Sequence, residues 1–384
     1  MTHARTAAVL AALALAATFP PAAGAAPSGP ADRALDLALR KVVQAPGGPP
    51  GVISVVTRGR RSFVHTTGVA DTKTKRRWRP SDHMRLASTS KAFSGAVALS
   101  LVRRGVLELN DTIGERLPNL PAAWAAVTLA QALHHTSGLP DYTATKAYQE
   151  DLTTDLLRRF TPPELIAYVA SKPLRFPPGS AYNYSNTDNI VVALMAEAAT
   201  GQSYDRLLQT RVFSPLGLSG TSLPSGPRLP RPFAHGYFFG EGQPTEDVSQ
   251  AVSMSGVWAS GGLQSTPTQL GRFIRGYVSG QLFGPALRRQ QRRWVDGGSE
   301  PTGPGTNSAG LALFRYRMGC GTVYGHTGNF PGYTQFAAAS SDGRRSATVS
   351  ANTQLSQEMF SQPAFRALRR AFERAACAAL ASGR

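Results

Sequence analysis

Ser88-Thr89-Ser90-Lys91 opens a stretch, from about Ser88 to Arg104, that reads as a helix stopped by Gly105. A serine in a helix's first turn has its backbone N–H pointing outward, where the helix dipole favours developing negative charge. Lys91, three positions on, shares that face one turn away. A lysine kept out of water loses its preference for the charged form and can then take the serine's proton. None of the other five lysines has a serine at the third position before it. Taken alone, the same four residues also describe a capping serine followed by a solvated lysine.

Two further clusters lie downstream. Tyr184-Ser185-Asn186 falls within the polar run Tyr182 to Asn189 and leads into a helix, Asn186 to Thr200, ended by Gly201. A phenol can shuttle a proton between serine and leaving group, and an amide side chain can hold a substrate carbonyl. Asn186 is also placed to cap its helix. Gly325-His326-Thr327-Gly328 sits at the end of a short strand, where glycine lets a substrate backbone lie against a sheet edge.

Around these clusters the chain reads as α+β. A helix is expected over Ala34 to Val43, then strands over Val52 to Thr57 and Ser62 to Thr67 joined by the turn Arg58-Gly59-Arg60. Residues 106–245 are mostly helical segments broken by Pro and Gly. One of them opens at Thr161-Pro162-Pro163-Glu164. Leu311 to Tyr316, Thr322 to Tyr324, Tyr333 to Ser340 and Ala347 to Asn352 read as strands, followed by a helix from about Gln362 to Ala381. Strands from both ends of the chain with a helical insertion between them imply one antiparallel sheet flanked by helices. The expected units are a sheet lobe, 26–105 with 246–384, and a mostly helical lobe, 106–245.

The three clusters, in this order and about 100 and about 140 positions apart, resemble the penicillin-recognising serine hydrolases. That family includes class C β-lactamases, D-alanyl-D-alanine carboxypeptidases and related esterases and D-aminopeptidases. Leu133-His134-His135-Thr136-Ser137-Gly138-Leu139-Pro140-Asp141-Tyr142 resembles its His-x-Ser-Gly-Leu segment. Val323 to Gly328, with Cys320 just ahead and Cys377 near the end, is similar to the secreted Streptomyces carboxypeptidase type. The resemblance implies the β-lactamase/DD-peptidase-like fold. It makes Ser88 the acylated nucleophile, Lys91 its activating partner and Tyr184 the proton shuttle. Asn186 is then expected to orient the substrate amide, and His326 and Thr327 to line the sheet-edge wall. The N–H groups of Ser88 and Asn329 would form the oxyanion hole, each donor contributing about 3 kcal/mol. Trp258 either flanks the cleft or sits in the core.

His326 stands where β-lactamases usually carry lysine and is mostly uncharged at neutral pH, and because the Streptomyces carboxypeptidase type shows the same residue there, the resemblance tilts the expectation toward a carboxypeptidase. Two departures pull the other way. Phe314 follows Gly310 to Leu313 where the carboxypeptidase has an arginine for the terminal carboxylate, and Asn329 replaces a threonine. Arg315 is next, but adjacent strand residues face opposite sides. The leading expectation is a DD-carboxypeptidase that cleaves D-Ala-D-Ala peptides through an acyl-serine and is acylated by β-lactams. A β-lactamase-fold esterase, a D-aminopeptidase and a slow-turnover penicillin-binding sensor or trap remain the alternatives. No Gly-x-Ser-x-Gly elbow occurs.

The 384 residues are 42% apolar and 17% charged, enough to bury a core. Lys plus Arg total 41 against 23 Asp plus Glu, and only six of the cations are Lys. That excess reads mainly as coding composition, with a wall rich in anionic polymers as its partner and nucleic acid unsupported. Arg5 followed by the apolar run Ala7 to Phe19 and by Ala23-Gly24-Ala25 reads as a signal peptide over residues 1–25. No later stretch suits membrane insertion, so a secreted monomer is expected, acting on peptidoglycan stem peptides or small substrates. The two cysteines, Cys320 and Cys377, then meet an oxidising environment and are expected to pair. No cofactor or metal is implied. His134 and His135 are neighbours and point apart instead of converging on an ion.

Overall fold

The computed structural model describes residues 29–239, 245–359 and 362–381. The expected signal peptide and its cleavage site lie outside these residues. A seven-stranded antiparallel sheet organises the molecule. Its strands are β1 (Gly51–Arg58), β2 (Arg61–Gly68), β3 (Thr306–Gly310), β4 (Leu313–Met318), β5 (Gly321–Phe330), β6 (Tyr333–Ala339) and β7 (Arg345–Ala351). They lie in the order β2-β1-β7-β6-β5-β4-β3, so the two ends of the chain meet where β1 pairs with β7. Val52 opposes Ala351 and Arg58 opposes Arg345 in that register.

The sheet separates two cores because successive strand residues face opposite sides. Val52 and Val56 pack with Leu35 and Leu39 of helix α1 (Pro30–Gln44) and with Phe365, Leu368 and Phe372 of the last helix, Gln362–Leu380. Ile53, between them, belongs to the larger core that holds helices α2 (Ser90–Arg103), α3 (Asn186–Thr200) and α4 (Pro267–Ser279). The last helix, α5, ends against the sheet, where Arg58 Nε donates to the Ala378 carbonyl at 2.7 Å. A cation there satisfies a carbonyl that the helix leaves unpaired.

Several expected elements differ in extent. The short strand expected at Thr322 to Tyr324 is a ten-residue strand, so the His326-Thr327 pair lies inside β5 and not at its end. Leu311 and Ala312 form the turn into β4 instead of its first residues. The sequence reading omitted β3 and α4. Burial explains why α2 and α3 lack polar faces: twelve residues of α2 and nine of α3 are buried.

Cys320 sits in the two-residue turn between β4 and β5 and is bonded to Cys377 of α5, 57 positions on, with Cα atoms 5.6 Å apart. Closing a loop of that length restrains the unfolded chain by about 4 kcal/mol in the loop-entropy model. The Cys320→Ser/Cys377→Ser variant is therefore expected to unfold at lower denaturant, by about 4 kcal/mol in extrapolated stability. Coincident unfolding curves for variant and parent would count against a bridge in the purified protein.

Candidate active site

Ser88 sits in a single 3₁₀ turn, Ala87–Thr89, that runs into α2. The turn is strained: Ala87 has φ +50°, a conformation costly for any residue with a Cβ. Thr89 N and Thr89 Oγ1 both donate to the Leu86 carbonyl, at 3.2 and 2.7 Å, and hold the turn in place. Ser88 is only partly buried, so a substrate can reach its hydroxyl.

Lys91 is fully buried beside it. Its Nζ lies 3.2 Å from Ser88 Oγ, 2.7 Å from Asn186 Oδ1 and 2.8 Å from the Ser260 carbonyl. Burial pushes the amine down to about 7, against the opposing pull of Asp141, Glu300 and Asp188. In its neutral form the amine has two hydrogens and one lone pair. Asn186 Oδ1 and the Ser260 carbonyl are acceptors only and take the hydrogens, which leaves the lone pair on Ser88. This is the geometry of a general base.

The ring of Tyr184 lies 4.9 Å from Lys91 Nζ. Its hydroxyl is buried and has no hydrogen-bond partner among the described residues. Burial raises the phenol well above its usual range while the nearby Ser88 side chain works against this, so Tyr184 keeps its proton. Behind it the His135 ring centroid is 4.5 Å from that of Tyr184. His135 Nδ1 meets Asp188 Oδ2 at 2.7 Å, and Ser137 Oγ donates to Asp188 Oδ1 at 2.5 Å. Burial drives both partners toward their neutral forms, raising Asp188 and lowering His135 to about 3.

Asn186 is brought to the site but is not free within it. Its Oδ1 accepts from Lys91, and its Nδ2 donates to Asp141 Oδ2 at 2.9 Å and to Thr143 Oγ1 at 3.0 Å. With every polar atom of the amide engaged, its job in this arrangement is to place Lys91. Nor does its side chain cap α3: Asp141 Oδ2 accepts from the Asn186 backbone N–H at 3.2 Å.

Strand β5 forms the other wall. The two-residue turn Pro331-Gly332 makes Phe330 and Tyr333 the closing pair, so Thr327 and Asn329 turn their main-chain groups away from β6. They face the side where β4 has already ended, since its pairing with β5 begins at Phe314 and Gly325. The strand also runs hard against the nucleophile turn: a Cβ on Gly328 would lie 2.6 Å from Ser88 N and 2.8 Å from Thr89 N. The Asn329 N–H thus points away from β6 on the strand that runs against the Ser88 turn, the place where the resemblance expects the second oxyanion donor.

The remaining expected residues are placed as follows. His326 is buried, its Nδ1 lies 2.5 Å from the Thr327 carbonyl, and its Nε2 is buried without a partner among the described residues. Burial pushes it down to about 3, so it is uncharged at neutral pH. The Thr327 hydroxyl is turned inward and donates to the Pro301 carbonyl at 2.5 Å. Asn329 Nδ2 donates to the Leu355 carbonyl at 3.4 Å. Trp258 is half-buried, edge-on to Tyr204 at 5.2 Å, in the short helix whose Ser260 carbonyl holds Lys91. Phe314 is buried edge-on against His326 at 4.9 Å. Arg315 turns to the other side, over Trp294 and bonded to Ser308. Asp141, Thr143 and Asp188 had no assigned role in the sequence reading. Asp141 was legible only as part of the quoted His135 to Tyr142 segment. Among the described residues no cluster of metal-ligating side chains occurs.

Residues 39–371 match the Beta-lactamase family, and the chain belongs to it. It is 25% identical to Penicillin-binding protein 4* of Bacillus subtilis over 302 residues, which cover 74% of this chain and 64% of that one. It is 32% identical to a D-aminopeptidase of Cereibacter sphaeroides over 206 residues, 54% of this chain and 38% of the relative. The match thus spans less than two thirds of the length of either curated relative. A D-stereospecific amidohydrolase from Streptomyces sp. superposes with a TM-score of 0.77 at 27% identity, covering 87% of this chain and 97% of that structure.

The site predicts a kinetic signature. Below its pKa of about 7 the Lys91 amine is protonated and has no lone pair for Ser88; above it the base is free. The burst of p-nitrophenol on acylation by p-nitrophenyl acetate is expected to speed up about tenfold between pH 6 and 8. Lys91→Met should lower that rate by about 10²-fold or more and abolish the acid limb. A pH-independent burst in the parent would remove Lys91 as the base.

Proposed function

We propose that this member of the β-lactamase family is a serine amidohydrolase that cleaves the amide bond of D-amino-acid amides and short D-peptides. The observation that carries this reading is that, among the described residues, no cation stands at Phe314, where the resemblance expects an arginine to receive a substrate carboxylate. Phe314 packs against an uncharged His326, and Arg315 is turned away onto Trp294. A carboxypeptidase acting on free D-Ala-D-Ala ends gains from a charge-assisted pair there, which an apolar ring does not supply. The likeness to a D-stereospecific amidohydrolase and to a D-aminopeptidase supports the choice of D-configured amides.

The chemistry follows from the placed groups. Lys91 takes the Ser88 proton as Oγ attacks the substrate carbonyl carbon, and the Ser88 and Asn329 N–H groups receive the oxyanion. Tyr184, with its retained proton and unpartnered hydroxyl, protonates the departing nitrogen and is reprotonated from Lys91. The C–N bond breaks and an acyl-Ser88 remains. Water then attacks the ester with Lys91 again as base, releasing the acid and restoring the serine. β-Lactams are amides that enter at the same acylation step.

Cleavage of D-Ala-D-Ala ends is the second reading, favoured by the likeness to a penicillin-binding protein and needing the same serine. Export is part of the proposal, supported by the apolar Ala7 to Phe19 run and by the Cys320–Cys377 bond. Among the described residues no helix is long and apolar enough to cross a membrane.

The two readings separate on substrates. The protein is expected to hydrolyse D-alanine p-nitroanilide with kcat/KM about tenfold or more above that for the L form. It should also exceed its own rate of D-Ala release from diacetyl-L-Lys-D-Ala-D-Ala. Ser88→Ala should lose about 10³-fold or more on both. Faster release of D-Ala from the tripeptide than hydrolysis of the anilide would decide for the carboxypeptidase.

A further inference from the structure

The loop leading into β3 places one acidic side chain at the rim of the cleft. Its backbone is fixed by both walls of the site. Tyr182, two residues before Tyr184, donates from its hydroxyl to the Gly298 carbonyl at 2.5 Å. Thr327, next to His326, donates to the Pro301 carbonyl. Between these anchors Tyr316 Oη donates to Ser299 Oγ at 3.0 Å, and Ser299 Oγ to the Pro301 carbonyl at 3.2 Å. Glu300 is thus held between the Tyr182–Tyr184 segment and β5, in a loop tied down on either side of it.

Its own side chain is uncommitted. Glu300 is exposed, and no hydrogen bond or ion pair among the described residues engages its carboxylate. Lys91, Tyr184, Asp141 and Glu358 all lie within its electrostatic reach, and desolvation, with Glu358 and Asp141 nearby, raises its carboxyl above the ordinary value. In a chain with 41 Lys and Arg against 23 acids, an acid without an ion-pair partner among the described residues at this position is not what composition alone delivers. Among the described residues no local cation serves as its partner. Lys91 acts as the neutral amine, His326 is uncharged and Arg315 faces Trp294. Asp141 is already occupied by Asn186 and Thr143, while Glu300, with Glu358 near it, is left open to a ligand.

We infer that Glu300 receives the α-ammonium group of the substrate, which makes the enzyme selective for D-amino-acid amides and short D-peptides with a free N-terminus. The inference rests on the D-amide reading above and names its substrate class. A substrate ammonium supplies the one charge that the rim lacks, whereas a free carboxylate brought to the same place is repelled. The same side chain therefore reinforces the preference already set by Phe314 and the neutral His326.

The test uses the full-length protein with D-alanine p-nitroanilide and N-acetyl-D-alanine p-nitroanilide. The parent is expected to favour the free amine. In Glu300→Gln the ratio of the two kcat/KM values should fall about tenfold, mainly through a higher KM for the free amine. Glu300→Lys should invert the ratio and improve N-succinyl-D-alanine p-nitroanilide, and thermal unfolding of both variants checks that they fold. A parent that prefers the acetylated anilide, or a ratio unmoved in both folded variants, would overturn the role of Glu300 and leave the D-amide reading standing. Failure of the parent to cleave either anilide while still turning over p-nitrophenyl acetate would overturn the D-amide reading, and this inference with it.

Discussion

The site depends on keeping one amine buried and uncharged. Holding Lys91 protonated in its present surroundings costs about 5 kcal/mol relative to water, taking its value of about 7 against 10.5. The neighbours that touch it are all neutral: a serine hydroxyl, an amide oxygen and a backbone carbonyl. A carboxylate in direct contact would hold the proton on Lys91 and remove its basicity. Asp141 is the acid positioned to do this, and Asn186 stands between the two, accepting from one and donating to the other. The amide works as a spacer that passes on orientation without passing on charge.

That constraint reaches well beyond the cleft. Asn186 opens α3, Ser260 belongs to the short helix that Trp258 opens, and Lys91 lies in the first turn of α2. The three must pack to within a few tenths of an ångström for the lone pair to face Ser88. Their rigidity comes from the larger core, where Phe93 stacks on Phe273 of α4 at 3.5 Å and Ser94 bonds both Tyr204 and the Ala259 carbonyl. Beneath Tyr184 the His135–Asp188–Ser137 group gives polar atoms satisfied partners while burial favours their neutral forms. A net charge there would act on the phenol and on Lys91 together.

Local signals made part of this legible in the sequence. Ser88 and Lys91 share a helix face at i, i+3, and Gly201 ends α3 where it was expected, in the left-handed conformation. The β1 and β2 strands were bounded by a glycine turn and differ from expectation by one residue at each end. Thr266-Pro267 and Gly280 are capping signals that bracket α4, so that omission had a sequence signal. Strand β3 had none: Thr306–Gly310 lacks aromatic or aliphatic β-branched residues and is extended because β4 returns beside it. Asn186, Thr327, Asp188 and Glu300 belong to a third kind. Their residue types were visible, but what each does is decided by partners from distant segments, and no spacing rule reports those.

Strand β5 shows how closely reactivity and selectivity are tied in this fold. One end is fixed to α5 through the turn that holds Cys320, and the other runs against the nucleophile turn at Gly328. Any side chain at Gly328 would push the strand away from Ser88 and pull the Asn329 N–H out of place, so the approach demands glycine. One residue earlier, the Thr327 hydroxyl anchors Pro301 and with it the rim loop. A shift of the strand large enough to change the rim would therefore also spoil the donors beside the nucleophile. The Glu300 side chain carries no such burden, having no partner to lose among the described residues, whereas Phe314 is buried in the core against His326 and a change there costs packing. Of the two, Glu300 is thus the position where a substitution leaves the strand, the lysine and the serine as they are.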